Sequence, residues 1–223
     1  TNNLANVNTV GFKKDKMSFG AMLDSVKNPT LGAGTLTNAP AYNDFTISTD
    51  FSTGTLRNSG NPLDLALDGT GFFVVDTPQG KAYTRQGNFH LDGNGRMVTV
   101  DGYEVQGGGG PITIKGGQVD INEKGEVSVD GQQVATLSVV NFPEPYQLQK
   151  IGGTLFTPSA AEAAEQPATG TLVRQATLED SNVQPLLEMA SLIESTRFYE
   201  SCVKTIQSYD DMANKAANDL GRV

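Results

Sequence analysis

The chain has 223 residues, a formal net charge of −9, 37% hydrophobic and 18% charged residues, with 25 glycines and no tryptophan, a balance suited to a turn-rich β-protein. Its basic residues form no stripe, the densest group being Lys13, Lys14 and Lys16, so no nucleic-acid partner is expected. A single cysteine, Cys202, excludes an internal disulfide, and no run of about 18 apolar residues offers a membrane span.

From Asn2 to Val10, asparagines accompany Leu4 and Val7, three residues apart. That spacing predicts the last turns of an amphipathic helix, with Gly11 as its C-cap. The chain starts at Thr1 inside this helical pattern, so a preceding N-terminal portion is expected. Residues 1–28 are read as the end of that helix and its turn. Residues 29–61, rich in Gly, Pro, Thr and Asn, are read as an extended linker in which Asp44–Ser48 alternates like a strand.

The clearest β-signal lies in residues 62–156. Leu63, Leu65 and Leu67 alternate with Asp64, Ala66 and Asp68, predicting a half-buried strand. Phe72–Val75 is a short apolar run, and further strands are predicted at Arg96–Val100, Ile112–Ile114, Val119–Ile121, Val127–Val129 and Val134–Val140. Between them stand Asp68-Gly69, Asp92-Gly93, Asn94-Gly95, Asp101-Gly102 and Asp130-Gly131, dipeptides suited to tight hairpins. Short strands at this spacing imply an antiparallel meander or small barrel. Residues 157–184, including Ala160–Ala164, are read as a return strap. A helix then opens at Pro185 and runs without internal Gly or Pro to Leu220, stopping at Gly221. The fold class expected is mainly β with terminal α-helices, the two termini forming a coiled-coil-like helical domain.

Along residues 185–223, Leu192, Tyr199, Ile206, Ala213 and Leu220 repeat every seven residues. Met189, Thr196, Val203 and Ala217 form a parallel row, interrupted by Asp210. A helix about 54 Å long exceeds what a small β-domain can cover. Other helices are therefore expected to cover it, and Leu4, Val7, Met189, Leu192, Tyr199, Val203, Ile206, Ala213 and Leu220 are the candidate assembly residues.

Catalytic patterns are weak. His90 is the only histidine, and no Gly-x-Ser-x-Gly elbow surrounds a serine. One histidine and one cysteine do not make a usual zinc site; Cys202 is expected to act as a small hydrophobe. Asp92-Gly93-Asn94-Gly95 begins like a calcium loop but lacks the later ligands. Gly107–Gly110 is not followed by the lysine of a phosphate loop, and Gly69-x-Gly71 precedes a strand instead of a helix. No catalytic residue, metal or cofactor is expected.

The chain also resembles the flagellar axial family of rod and hook proteins. Asn2-Asn3-Leu4-Ala5-Asn6-Val7-Asn8-Thr9 with Gly11-Phe12-Lys13 is similar to the family's N-terminal motif. Leu65–Phe73, Tyr83–Phe89 and Val98–Gly102 resemble its β-domain, Ile151–Phe156 the end of that domain, and Ser181-Asn182-Val183 with Met189 and Ile193–Glu200 its C-terminal helix. The resemblance implies a structural subunit of the basal-body rod with other copies and other rod proteins as partners. It also implies passage through the flagellar type III export apparatus without a cleaved signal peptide, and a place in the periplasmic rod. Residues 62–156 leave no room for the larger outer domain of a hook protein. Val139–Pro145 with Leu148–Lys150, and Asn218–Val223, are similar to the proximal-rod branch, with the distal-rod branch as the nearest alternative. A different class, a free β-rich binding module with a helical tail, predicts instead a folded monomer with a protease-resistant helix.

Overall fold

The computed structural model describes residues 1–20, 44–159 and 164–220. The chain divides into two units, Asn8–Asn182 and the termini Thr1–Val7 with Val183–Val223. Among the described residues the first holds strands and no helix, and the strand pairings are antiparallel.

Strands β1 (Asp15–Gly20) and β2 (Asp44–Thr49) pair with Met17 opposite Ile47. Residues 21–43 of the expected turn and linker lie outside the described residues. Strand β3 (Leu56–Asn58) pairs with Thr177–Glu179, and β4 (Leu65–Asp68) with Leu172–Gln175. Both partners come from the stretch read as a strap; residues 160–163 of its alanine run lie outside the described residues.

The main sheet is built round the hairpin of β5 (Phe72–Thr77) and β6 (Gly80–Thr84). It has ten strands, running through Leu148–Gly152, Leu155–Pro158, β6, β5, Glu104–Gly107, Met97–Val98 and His90–Leu91, with three short strands joined alongside. The sheets are open. Of the two architectures expected, meander or barrel, the meander is found: two-residue strands such as His90–Leu91 carry too short a ladder to stagger round a closed barrel.

Strand β5 explains why its sequence is continuously apolar. Phe73 and Val75 point into one core with Leu65, Leu67, Phe89, Met97 and Val127. Phe72 and Val74 point into a second with Tyr83, Phe142 and Phe156. Successive side chains on a strand face opposite ways, so a strand buried on both sides loses the polar alternation. The same cause corrects the half-buried expectation for β4, where Leu65, Ala66 and Leu67 are all buried.

Two predicted strands are shorter than expected and one is absent. Arg96–Val100 contributes only Met97–Val98. Ile112 and Ile114 are buried but make isolated bonds, Met97 N–H to Ile112 C=O (2.9 Å) and Ile114 N–H to Gly95 C=O (2.7 Å). Val134–Val140 splits into Gln132–Thr136, in a three-stranded sheet, and Val139–Asn141, which joins β5. The dipeptides at 92–95, 101–102 and 130–131 lie between strands that pair with one another, whereas Asp68-Gly69 joins β4 and β5, which pair elsewhere and form no hairpin. Asp130 and Gly131 have φ of 49° and 80°, the pair of left-handed residues that a two-residue hairpin requires. Asp92 Oδ1 accepts from the N–H groups of Asn94 and Arg96, both at 2.8 Å, so the calcium-like segment is a carboxylate-capped turn.

In the helical unit, α1 spans Asn2–Ala5 and closes at Asn6, not at Gly11. Helix α2 spans Pro185–Leu220, 36 residues; the expected stop at Gly221 lies outside the described residues. Asn3 Nδ2 donates to Glu188 Oε2 at 3.1 Å, tying α1 to the first turn of α2.

Candidate assembly surface

Met189, Leu192, Tyr199 and Ile206 are exposed, Ile206 at 61%. Val203 is half-buried and Ala213 exposed, and Leu4 and Val7 are half-buried. Leu220 closes α2, but its side chain, like that of Ala217, lies outside the described residues. The α2 members Met189, Leu192, Tyr199, Val203, Ile206 and Ala213 thus share one stripe of that helix, left largely exposed among the described residues, whereas Leu4 belongs to α1 and Val7 lies beyond its end.

A second stripe escaped the sequence reading. Phe198, Cys202, Thr205, Tyr209 and Met212 follow one another at steps of four and three, the spacing of a coiled-coil seam. At 100° per residue this row lies about 120° round the helix from the first. Phe198 is 72% exposed, and Tyr209, Met212 and Cys202 are exposed with it. The signal was present in the sequence, since Phe198, Thr205 and Met212 recur every seven residues, as do Cys202 and Tyr209, but Thr205 and Cys202 dilute its apolar character. Arg197, Lys204 and Lys215 fall on the remaining third of the helix.

The two threonine hydroxyls on these stripes are satisfied within the helix. Thr196 Oγ1 donates to Leu192 C=O and Thr205 Oγ1 to Ser201 C=O, both at 2.9 Å. A threonine bonded back to its own helix presents chiefly its methyl group outward, which suits an apolar contact.

The β unit holds the opposite arrangement, charges inside. Glu179 is fully buried on the strand after Ala176 and meets two buried cations, Lys13 Nζ at 2.5 Å and Arg85 Nη1 at 3.2 Å. Lys13 Nζ also donates to Ser52 C=O (2.7 Å), and Arg85 donates to Leu67 C=O (3.3 Å) and Gly69 C=O (2.7 Å). Glu179 Oε1 accepts in addition from Gly54 N–H at 2.8 Å. Burial pushes the Lys13 ammonium below its ordinary value, and Glu179 opposes that shift; burial lowers Arg85 likewise. Arg85 Nε has no hydrogen-bond partner among the described residues.

Ser52 reaches this cluster through its main-chain carbonyl and its Oγ accepts from Asn182 Nδ2 at 3.1 Å, so among the described residues it is not paired with a base as a nucleophile would be. His90 is exposed at the rim of the main sheet. Among the described residues no group of His, Cys, Asp and Glu could hold a metal ion, and no helix is long and apolar enough to cross a membrane. A cleft of about 1050 Å³ lies between residues 47–53 and 144–150, lined by Asp15, Lys16, Phe51, Tyr146 and Lys150 among others.

Residues 66–129 match the D1 domain of the flagellar hook protein FlgE/F/G family, and residues 174–220 match the C-terminal region of the flagellar basal-body rod FlgEFG proteins. The chain is 35% identical to the flagellar basal-body rod protein FlgG of Bacillus subtilis over 248 residues, covering 97% of this chain and 90% of the relative. It is 32% identical to FlgF of Caulobacter vibrioides over 225 residues, covering 100% and 90%. To FlgG of the same organism it is 37% identical over 243 residues, covering 95% and 88%.

Proposed function

The chain belongs to the flagellar FlgE/F/G rod and hook family, and from that premise we propose that it is a structural subunit of the basal-body rod, in the proximal, FlgF-like position. The observation that carries the structural role is a 36-residue helix bearing two apolar stripes that its own unit leaves exposed. A helix with two such faces about 120° apart is complete only between two neighbours. Copies and other rod proteins supply them. Contacts of this heterologous kind do not close on themselves and so grow a helical tube, which transmits torque along its length. Leu4, Val7, Met189, Leu192, Tyr199, Val203, Ile206, Ala213 and Leu220 form the first seam of that packing. Each such side chain contributes roughly 1.5–3 kcal/mol when fully buried, offset in part by the entropy of ordering the helix. The role is structural and not catalytic. The subunit reaches the periplasmic rod through the type III export apparatus without a cleaved signal peptide.

The proximal assignment rests on length. The alignment to the Caulobacter FlgF runs over 225 residues, close to this chain's 223. Those to FlgG stretch to 248 and 243 residues while covering slightly less of this chain, so they contain gaps. The higher identity to FlgG favours the distal-rod position instead, and complementation separates the two. Expressed in strains lacking either FlgF or FlgG, the chain is expected to restore rod completion and swimming in the first only. Rescue of the second alone assigns it to the distal rod, and rescue of neither refutes the rod reading.

A further inference from the structure

The chain passes between its two units at residues 7–8 and again at residues 182–183. Within the β unit, the residues next to these two crossings are bonded to one another. Gly11 N–H donates to Glu179 C=O at 2.7 Å, Lys14 N–H to Asn182 Oδ1 at 2.8 Å, and Asn182 N–H to Phe12 C=O at 3.4 Å. Asn182 Nδ2 donates onward to Asp50 C=O at 2.8 Å. At the centre Lys13 and Glu179 form their buried ion pair, with Arg85 on the other carboxylate oxygen. Gly11 is specific to this arrangement: its φ is +68°, and a Cβ there would lie 2.4 Å from the Arg85 carbonyl carbon.

Stability alone is a poor account of this cluster. Three buried charges carry a desolvation penalty that well-packed apolar side chains avoid, often with equal or better stability. What an ion cluster adds is directional bonding that resists sliding, because each bond weakens steeply as its geometry is lost. We propose that the Lys13–Glu179–Arg85 cluster is a mechanical clamp, fastening the arriving residues 11–14 to the returning residues 179–182 so that the two connections move as one. Twisting load entering the β unit is then shared by two fastened connections instead of passing through two loose ones. The inference rests on the rod reading and names the part of the subunit through which torque passes.

Lys13→Met removes the ammonium and keeps a long apolar side chain; Asn182→Ala removes only the half-buried amide's bonds to Lys14, Asp50 and Ser52, and so stays informative should the first variant fail to fold. Amide exchange is measured on the full chain, and swimming is measured in dilute and in viscous medium after expression in the strain the wild-type chain restores. The clamp predicts at least about tenfold faster exchange at Gly11 and Lys14, with core amides such as Val74 and Val75 unchanged. It further predicts flagella that form and swim in dilute medium but lose propulsion under viscous load. Uniformly faster exchange through the core, or normal swimming under load despite local loosening, overturns the clamp while leaving the rod reading intact. Failure of the wild-type chain itself to restore a flagellum overturns both.

Discussion

Ile206→Asp separates folding from assembly. Ile206 is 61% exposed in the subunit, so only about two-fifths of its burial is realised there. Covering the remainder against a neighbouring helix contributes about 1–2 kcal/mol of the roughly 1.5–3 kcal/mol available to a fully buried side chain. An aspartate at the same place loses that contribution and adds the desolvation of an unpaired carboxylate, several kcal/mol more. In the free subunit the change is confined to helix propensity, about half a kcal/mol. A combined loss of about 4 kcal/mol weakens each contact about a thousandfold. The variant is therefore expected to leave the melting of the β unit unchanged while rod completion and swimming are abolished. Lys204→Ala, on the charged third of the helix, is the control and should swim normally. If Ile206→Asp builds a rod as well as wild type, the seam is not an interface and the argument from exposure fails.

Two further predictions concern the β unit. A Cβ at Gly87 would lie 1.7 Å from the Leu65 carbonyl oxygen, so Gly87→Ala must displace β4 and should destabilise the unit by about 3 kcal/mol. At Gly93 a Cβ meets nothing within 4 Å, and Gly93→Ala should be nearly neutral in the same denaturant titration; equal effects at the two sites would contradict the packing described. Partial burial pushes the Asp50 carboxyl upward, but bonds from Lys16 (2.9 Å) and the Ser52 N–H (3.0 Å) outweigh it and hold the group down at about 2. A carboxyl lowered by folding stabilises above its unfolded value and loses that contribution as pH falls toward the folded one. After allowance for solvent screening at the exposed Lys16, the contribution is about 1–2 kcal/mol. The stability difference between wild type and Asp50→Asn should therefore be full at pH 5 and vanish near pH 2, and a difference that stays constant with pH would exclude this ion pair as its source.

Local features were legible in the sequence because their causes are local. Asp130-Gly131 announces a hairpin through its need for two left-handed residues, and Pro185 opens a helix because its missing N–H is not needed there. The long helix followed from the absence of breakers. Long-range pairing was not legible. Leu172–Gln175 and Thr177–Glu179 are too polar to read as strands, and they become strands because β4 and β3 offer unpaired backbone to them. The buried cluster is the extreme case: Lys13 and Glu179 are separated by 166 positions, and nothing near either residue marks it as internal. A continuous apolar run such as Phe72–Val75 states that both faces are buried, but it does not say against what.

The two units distribute apolar and charged side chains in opposite ways, and this has a thermodynamic consequence. The β unit buries two apolar cores and three charges within itself. Helix α2 leaves Leu186, Phe198, Tyr199 and Tyr209 in water, and a lone helix of that kind is held by weak propensity and i→i+4 pairs alone. On the rod reading, its stability is supplied by neighbours and therefore depends on subunit concentration and on the growing end of the rod. A subunit divided in this way can be handled as a folded β unit with a weakly held helix before assembly, and becomes rigid throughout only where its neighbours already are. On the rod and clamp proposals, the same division accounts for charges near the chain crossings and apolar stripes on the helix. Directional bonds are needed where load changes path within one molecule, whereas non-directional burial suffices where many identical surfaces meet.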